Sequence, residues 1–284
     1  MSAAAYFIMV VADIVAFIFV FPGSIFIIAI NLWDWINNKT LSLSDHLSIG
    51  VSVCNFLHGV LKVLLQLYLF LKLDCFLLIK YVSVSCLAAM SGNLWLCTLY
   101  SIYCCLKIVT FSQNAYVYLK KTFPKMLPWL LILTVLLTLC VSIAMAWDVK
   151  DVAPPNKTQS KQDLTLIFYL EDSAPLKIYI FACLCALLLF SSSYVTIMIS
   201  LRRHIKQMRD NAEGSSSNVN VHIHAVKILT LSFLYDVIYF AAMMIAGLND
   251  NDIVAVYSMA TIFSICLVFN TVLLIKGNSK LNNA

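Results

Sequence analysis

Long apolar runs broken by short polar stretches set the pattern of this chain. Seven runs, roughly 5–31, 46–71, 81–109, 126–147, 174–201, 223–247 and 252–275, are each long enough, at about 20 residues, to cross a bilayer as a helix. Backbone groups in hydrocarbon must bond internally, so runs of this length form helices rather than open strands. The pattern predicts an all-α membrane protein, a seven-transmembrane helix bundle in one domain over residues 1–284. The first run is too long for a signal peptide and no basic stretch precedes it. It contains Asp13, and Pro22-Gly23 is a point where it can bend.

The third run holds the stretch around which the chain is organised, Asn93 to Ser112, reading NLWLCTLYSIYCCLKIVTFS. As a helix it separates Trp95 from Lys107 by roughly 18 Å, over half of a hydrocarbon core of ~30 Å.

Composition agrees with the pattern. The chain is 62% hydrophobic and 12% charged, with a mean hydropathy of +0.90. A soluble domain carries about 25% charged residues, so this chain belongs in a membrane, with lipid as its surroundings. The net charge is only +5 and no basic run is interleaved with aromatics, which leaves nucleic-acid binding without support. Most of the ten cysteines lie inside apolar runs and read as small hydrophobes. Cys104-Cys105 has the chemistry for acylation, but its place within a run favours packing. No CxxC pair suggests zinc, and His222 and His224 are two apart, so they would not share a helix face. No constellation supports an enzyme, and no cofactor is implied.

Charge gives the orientation. If segments 32–45, 110–125, 202–222 and the tail 276–284 share a side, with Lys107 and Lys227 at helix ends there, that side collects twelve of the nineteen Lys and Arg residues, against six opposite; Lys62 lies within the second run. The richer side is cytoplasmic by the positive-inside rule, so the N-terminus is expected outside and the C-terminus inside. Of two sequons, Asn156-Lys157-Thr158 then falls outside, as a glycosylation candidate, and Asn38-Lys39-Thr40 inside. The longest outer loop, 148–173, has Pro154-Pro155 and no cysteine, so it cannot be tied to the third helix by a disulfide. The third helix lacks a terminal Asp-Arg-Tyr and the seventh lacks Asn-Pro-x-x-Tyr. These absences point away from the main rhodopsin-like class.

Local motifs point elsewhere. In the third helix Trp95 is followed in register by Leu99, Ser101, Tyr103, Ile108, Phe111 and Ser112, with Ile102 and Val109 as departures. Asn31, Asp34-Trp35, Ser42 and Asp45 follow the first helix. The fifth ends Leu201-Arg202-Arg203-His204 with Met208 beyond, then come His222, Ala225-Val226-Lys227 and Tyr239. The tail reads Leu274-Ile275-Lys276-Gly277-Asn278-Ser279-Lys280-Leu281. In this order and spacing the set resembles the bitter taste receptors, the type 2 taste receptor family of G-protein-coupled receptors. Three core positions depart from the family: Ser24 where it commonly has Asn, Asn55 where it has Arg, and Asn270 where it has His. They suggest a smaller polar network, or altered switching.

The resemblance implies a plasma-membrane receptor for small, diverse, mostly amphipathic molecules, bitter compounds among them, coupled to a heterotrimeric G protein of the gustducin or inhibitory type. Ligand would act by shifting a conformational equilibrium, with no chemistry. It implies an outer-half cavity lined by Trp95, Leu96 and Leu99 of the third helix, Tyr239 and Met243 of the sixth, and Met259, Ala260 and Phe263 of the seventh. Trp95 equally suits an interfacial anchor. Lys107, Arg202, Arg203 and Lys227 are the candidates for G-protein coupling; they also suit orientation signalling and, at the third and fifth helices, complement helix C-termini. The alternatives are another chemosensory receptor such as a vomeronasal type 1-like protein, a transporter, and a retinal pump. The Asp-Trp and Leu-x-x-His matches argue against the first, the lack of two similar halves against the second, and the lack of a mid-helix lysine in the seventh run against the third.

Asp236, absent from the family pattern, lies mid-way along the sixth run. An ionised carboxylate there costs about 2.5–3.5 kcal/mol on insertion scales. It shares a helix face with Tyr239. Either it bonds to Asn270 or water as part of the core network, or it is the counter-charge for a cationic ligand.

Overall fold

The computed structural model describes residues 3–71, 76–109, 114–148, 174–210, 227, 230–242 and 253–282. They form α1 (Ala3–Asn38), α2 (Leu43–Leu71), α3 (Phe76–Ile108), α4 (Asn114–Asp148), α5 (Ala174–Asp210), α6 (Thr230–Ala242), α7 (Ile253–Gly277) and a single turn α8 (Ser279–Asn282). Six of these are long and apolar enough to span a membrane, and α6 is a shorter apolar helix in the remaining position.

α3 is the axis of the bundle. It packs on α2, α4 and α5, while α1 packs on α2 and α7. The α3 span is 67% buried, against 22–39% in the other five. What those five expose is apolar, such as Phe19 of α1 and Leu136 and Ile143 of α4. Lipid tails are as apolar as leucine, so this exposure carries no hydrophobic cost in a bilayer.

The helices outrun their apolar segments. α1 continues to Asn38, so the expected loop 32–45 shrinks to residues 39–42. Lys39 ends α1 in the left-handed region (φ 56°), its N–H donating to Trp35 O at 2.8 Å, as in an αL cap. α2 then opens with a capping box. Asp45 N donates to Ser42 Oγ and Ser42 N to Asp45 Oδ2, both at 3.2 Å. α4 starts at Asn114 rather than near 126, passing through Pro124 and Pro128, and α5 runs on to Asp210 rather than ending near 201. An apolar run marks only the part of a helix inside hydrocarbon. Polar turns beyond it stay helical because water and neighbouring side chains can satisfy their ends.

α1 and α7 touch backbone-close. A Cβ on Gly23 would sit 2.7 Å from Thr271 Cγ2, so any larger residue there would force the Thr271 side chain or α7 to shift.

Candidate functional site

Two polar clusters and one aromatic cluster organise the bundle. The first polar cluster joins α2, α3 and α7. The Asn93 amide donates to Asn55 Oδ1, the Asn270 amide to Asn93 Oδ1 at 3.1 Å, and the Asn55 amide to Thr271 Oγ1 at 3.4 Å. Cys97 Sγ adds a bond to Asn93 Oδ1 at 3.2 Å. Two of the three departures from the family pattern, Asn55 and Asn270, therefore meet through Asn93. Ser24, the third, is fully buried with no hydrogen-bond partner among the described residues.

The second polar cluster joins α1, α2 and α7. Lys62 Nζ lies 2.7 Å from Asp13 Oδ1, 3.0 Å from Ala260 O and 2.5 Å from Ser264 Oγ. Gln66 Nε2 donates to Asp13 Oδ2 at 2.8 Å. The sequence marked Lys62 and Asp13 as intramembrane charges without linking them, since 49 positions separate them.

The aromatic cluster lies where α3, α6 and α7 meet. Tyr239 and Phe263 pack with ring centroids 5.2 Å apart, among Met90, Tyr235, Ala242 and Cys266, with Met259 and Leu87 against them. On the adjoining side Tyr179 of α5 packs with Leu94, Met145 and Cys183. The Tyr179 and Tyr239 hydroxyls and Asp236 Oδ2 are buried with no hydrogen-bond partner among the described residues.

The expected ligand-lining residues separate. Tyr239, Met259 and Phe263 come together. The Ala260 carbonyl accepts a hydrogen bond from Lys62 at 3.0 Å. Trp95, half-buried, packs on the α4–α5 side with Val141 and Tyr179. Leu96 faces α2, 3.3 Å from where a Gly50 Cβ would be. Leu99 packs with Leu47 of α2 and Phe123 and Leu127 of α4. Leu96 and Leu99 therefore pack on other faces of α3 than the one that meets Tyr239. Nine residues are two and a half turns at 3.6 residues per turn, so Leu99 lies opposite Met90, the α3 residue that does meet Tyr239. Nothing in the apolar pattern could separate these faces, because α3 is apolar around its circumference. Met243 and Asn156 lie outside the described residues.

Asp236 is buried, and the Asn270 amide goes to Asn93. The expected Asp236–Asn270 bond is not present.

The other end of the bundle carries the expected coupling cations. Lys107, Arg202, Arg203 and Lys227 are exposed and form no ion pair among the described residues; Lys107 stands 5.9 Å from the Tyr103 ring centroid. Since α5 extends to Asp210, Arg202 and Arg203 lie about two turns before its end. Helix-dipole complementation, which acts within the last turn, therefore applies to Lys107 and not to them. At this same end Lys280 Nζ bonds Asn31 Oδ1 at 3.0 Å and the Asp34 carboxylate, with Asp45 Oδ2 at 3.9 Å. Leu281 beside it is buried. Motif residues from the two ends of the chain thus converge on one latch.

The whole chain, residues 1–284, matches the family described as taste receptor protein (TAS2R). The chain belongs to this bitter taste receptor family. Its relatives include taste receptor type 2 member 2 of Homo sapiens, 28% identical over 77% of this chain and 74% of that protein. Taste receptor type 2 member 13 of Homo sapiens is 24% identical over 91% and 88%. Taste receptor type 2 member 41 of Mus musculus is 25% identical over 89% and 85%. The TAS2R chain is accordingly a multi-pass membrane receptor and not an enzyme.

Proposed function

We propose that this TAS2R chain detects small amphipathic molecules, bitter compounds among them, at the junction of α3, α5, α6 and α7. The carrying observation is the pair of buried tyrosine hydroxyls, Tyr239 beside Met90, Met259 and Phe263 and Tyr179 in the adjoining cluster, which have no hydrogen-bond partner among the described residues. A buried hydroxyl without a partner costs about 1–3 kcal/mol, and a ligand that bonds to it recovers that cost. Trp95 borders this site through Tyr179, and Leu96 and Leu99 support α3 from behind. The N-terminus faces outside, and a gustducin-like or inhibitory G protein engages the end bearing Lys107, Arg202, Arg203 and Lys227. Ligand shifts the equilibrium towards the coupling-competent state by its higher affinity for that state.

The test is calcium release in cells supplied with a promiscuous G protein, using a panel of amphipathic amines and uncharged terpenoids. Activation by members of the panel is expected, and silence across it at normal surface density overturns the reading. Charge-neutral Arg202 and Arg203 variants should reach the surface and signal weakly; normal signalling would remove them from the coupling face. For orientation, glycosidase treatment should shift the mobility of the wild type and of Asn38→Gln but not of Asn156→Gln. The reverse pattern would invert the topology.

A further inference from the structure

We infer that Asp13, Lys62, Gln66 and Ser264 are positioning residues that fix which face α7 turns towards the ligand site, a reading that rests on the proposed function. Lys62 has three N–H donors and all three are engaged: one on α1 at Asp13 and two on α7, at the Ala260 carbonyl and the Ser264 hydroxyl. The Ser264 hydroxyl also bonds Asp13 Oδ1, and Ala260 O lies 3.1 Å from it as a second acceptor. Both oxygens of Asp13 are bonded, Oδ1 to Lys62 and Ser264 and Oδ2 to Gln66. The cluster is charge-neutral, and the α7 atoms it holds are a backbone carbonyl and a hydroxyl one turn apart.

That pairing reads rotation. Ala260 and Ser264 form one i, i+4 row on α7, and Met259 and Phe263 form the adjacent row, about 100° round the helix. Holding the first row against Lys62 directs the second row at α6, where Phe263 packs on Tyr239. A turn of α7 by one residue would take both acceptors out of reach and remove Phe263 from Tyr239. Apolar residues at positions 13, 62 and 264 would fill the same space without that constraint. A buried ion pair is typically no more stable than such packing, so its contribution here is orientation. Deeper in the bundle, the Gly23–Thr271 contact and the Asn55–Thr271 bond hold α7 at a second level.

The experiment compares the neutral double variant Asp13→Asn/Lys62→Met with Lys62→Arg and Ser264→Ala, measuring surface density and the half-maximal concentration for the panel members that activate wild type. The double variant leaves no unpaired charge and is expected to reach the surface within about twofold of wild type. Its half-maximal concentrations should rise roughly ten- to hundredfold, the range of one lost hydrogen bond to a charged group. Amines and uncharged agonists should be affected alike. Lys62→Arg keeps the cation and its donors and should stay within about threefold. A purely structural role would lower surface density and leave potency at matched density unchanged; wild-type potency in the double variant therefore overturns the inference. Should the double variant fail to reach the surface, Ser264→Ala decides, since it spares the ion pair: reduced potency supports positioning, and unchanged potency rejects it. A wild type silent to the whole panel instead defeats the receptor reading, and this inference with it.

Discussion

Asp13 and Asp236 are two carboxylates at similar burial, 4% and 2% exposed, in helices of the same bundle. Their surroundings are opposite. Asp13 has an ammonium, a hydroxyl and an amide on its two oxygens. Asp236 has an unbonded Oδ2, and no lysine or arginine pairs with it among the described residues. Charge in a membrane is costly in both places, but among the described residues a compensating cation is found only at Asp13. The first acid is therefore part of the architecture. The second has no such partner among the described residues, and whether a cationic ligand supplies one is open to test.

The sharpest way to break this contrast is to remove a partner from one acid and the charge from the other. Lys62→Met strands the Asp13 carboxylate. Breaking a buried pair from one side costs about 3–5 kcal/mol, so this variant should lose most surface expression, and what survives should melt early in detergent. Stability within about 1 kcal/mol of wild type would mean that Asp13 never depended on its cation.

Asp236→Asn is expected to act in the opposite direction. It removes a buried acid at nearly constant volume, so thermal stability should rise, by at most the ~2.5–3.5 kcal/mol of the insertion scale for an ionised acid. Responses to amines should fall selectively at equal surface density, while uncharged agonists keep their potency. Loss of both agonist classes would make Asp236 structural like Asp13, and no change in either would remove it from the site.

The contrast also separates what could be read in the chain from what could not. Seven helices were legible because an apolar run of bilayer length has few other outcomes. Their ends were not, because helices such as α1 and α5 continue into polar sequence once they leave hydrocarbon. Tyr239 and Phe263 were singled out through the family resemblance, and their rings pack together. Leu96 and Leu99 were not assignable from pattern, because a helix apolar on all sides carries no marker of which side meets α6 and α7. Each buried charge was visible as an oddity. Whether it had a partner was not, since Asp13, Lys62 and Ser264 come from three helices and only folding brings them together. The Asn55–Asn93–Asn270 chain was half legible: two members stood out as departures, and the third, which joins them, did not.

The smallest expected effect tests what kind of partner matters. Gln66 Nε2 bonds Asp13 Oδ2, while Gln66 Oε1 is buried with no hydrogen-bond partner among the described residues. Gln66→Met deletes a hydrogen bond to a charged group, a loss of about 1.5–3 kcal/mol, and relieves an unpartnered acceptor that costs about 1–3 kcal/mol. The stems are alike in length and flexibility, so packing changes little. The two contributions nearly cancel, and the net change in melting should stay within about 1 kcal/mol, far below that of Lys62→Met. Gln66→Glu should be much worse, because it sets a second carboxylate against the first with one ammonium between them. If Gln66→Met instead costs as much as Lys62→Met, Asp13 is held by hydrogen bonds rather than by opposite charge. Asp236 would then differ from it only in lacking donors, and any hydrogen-bonding ligand, charged or not, would serve as its partner.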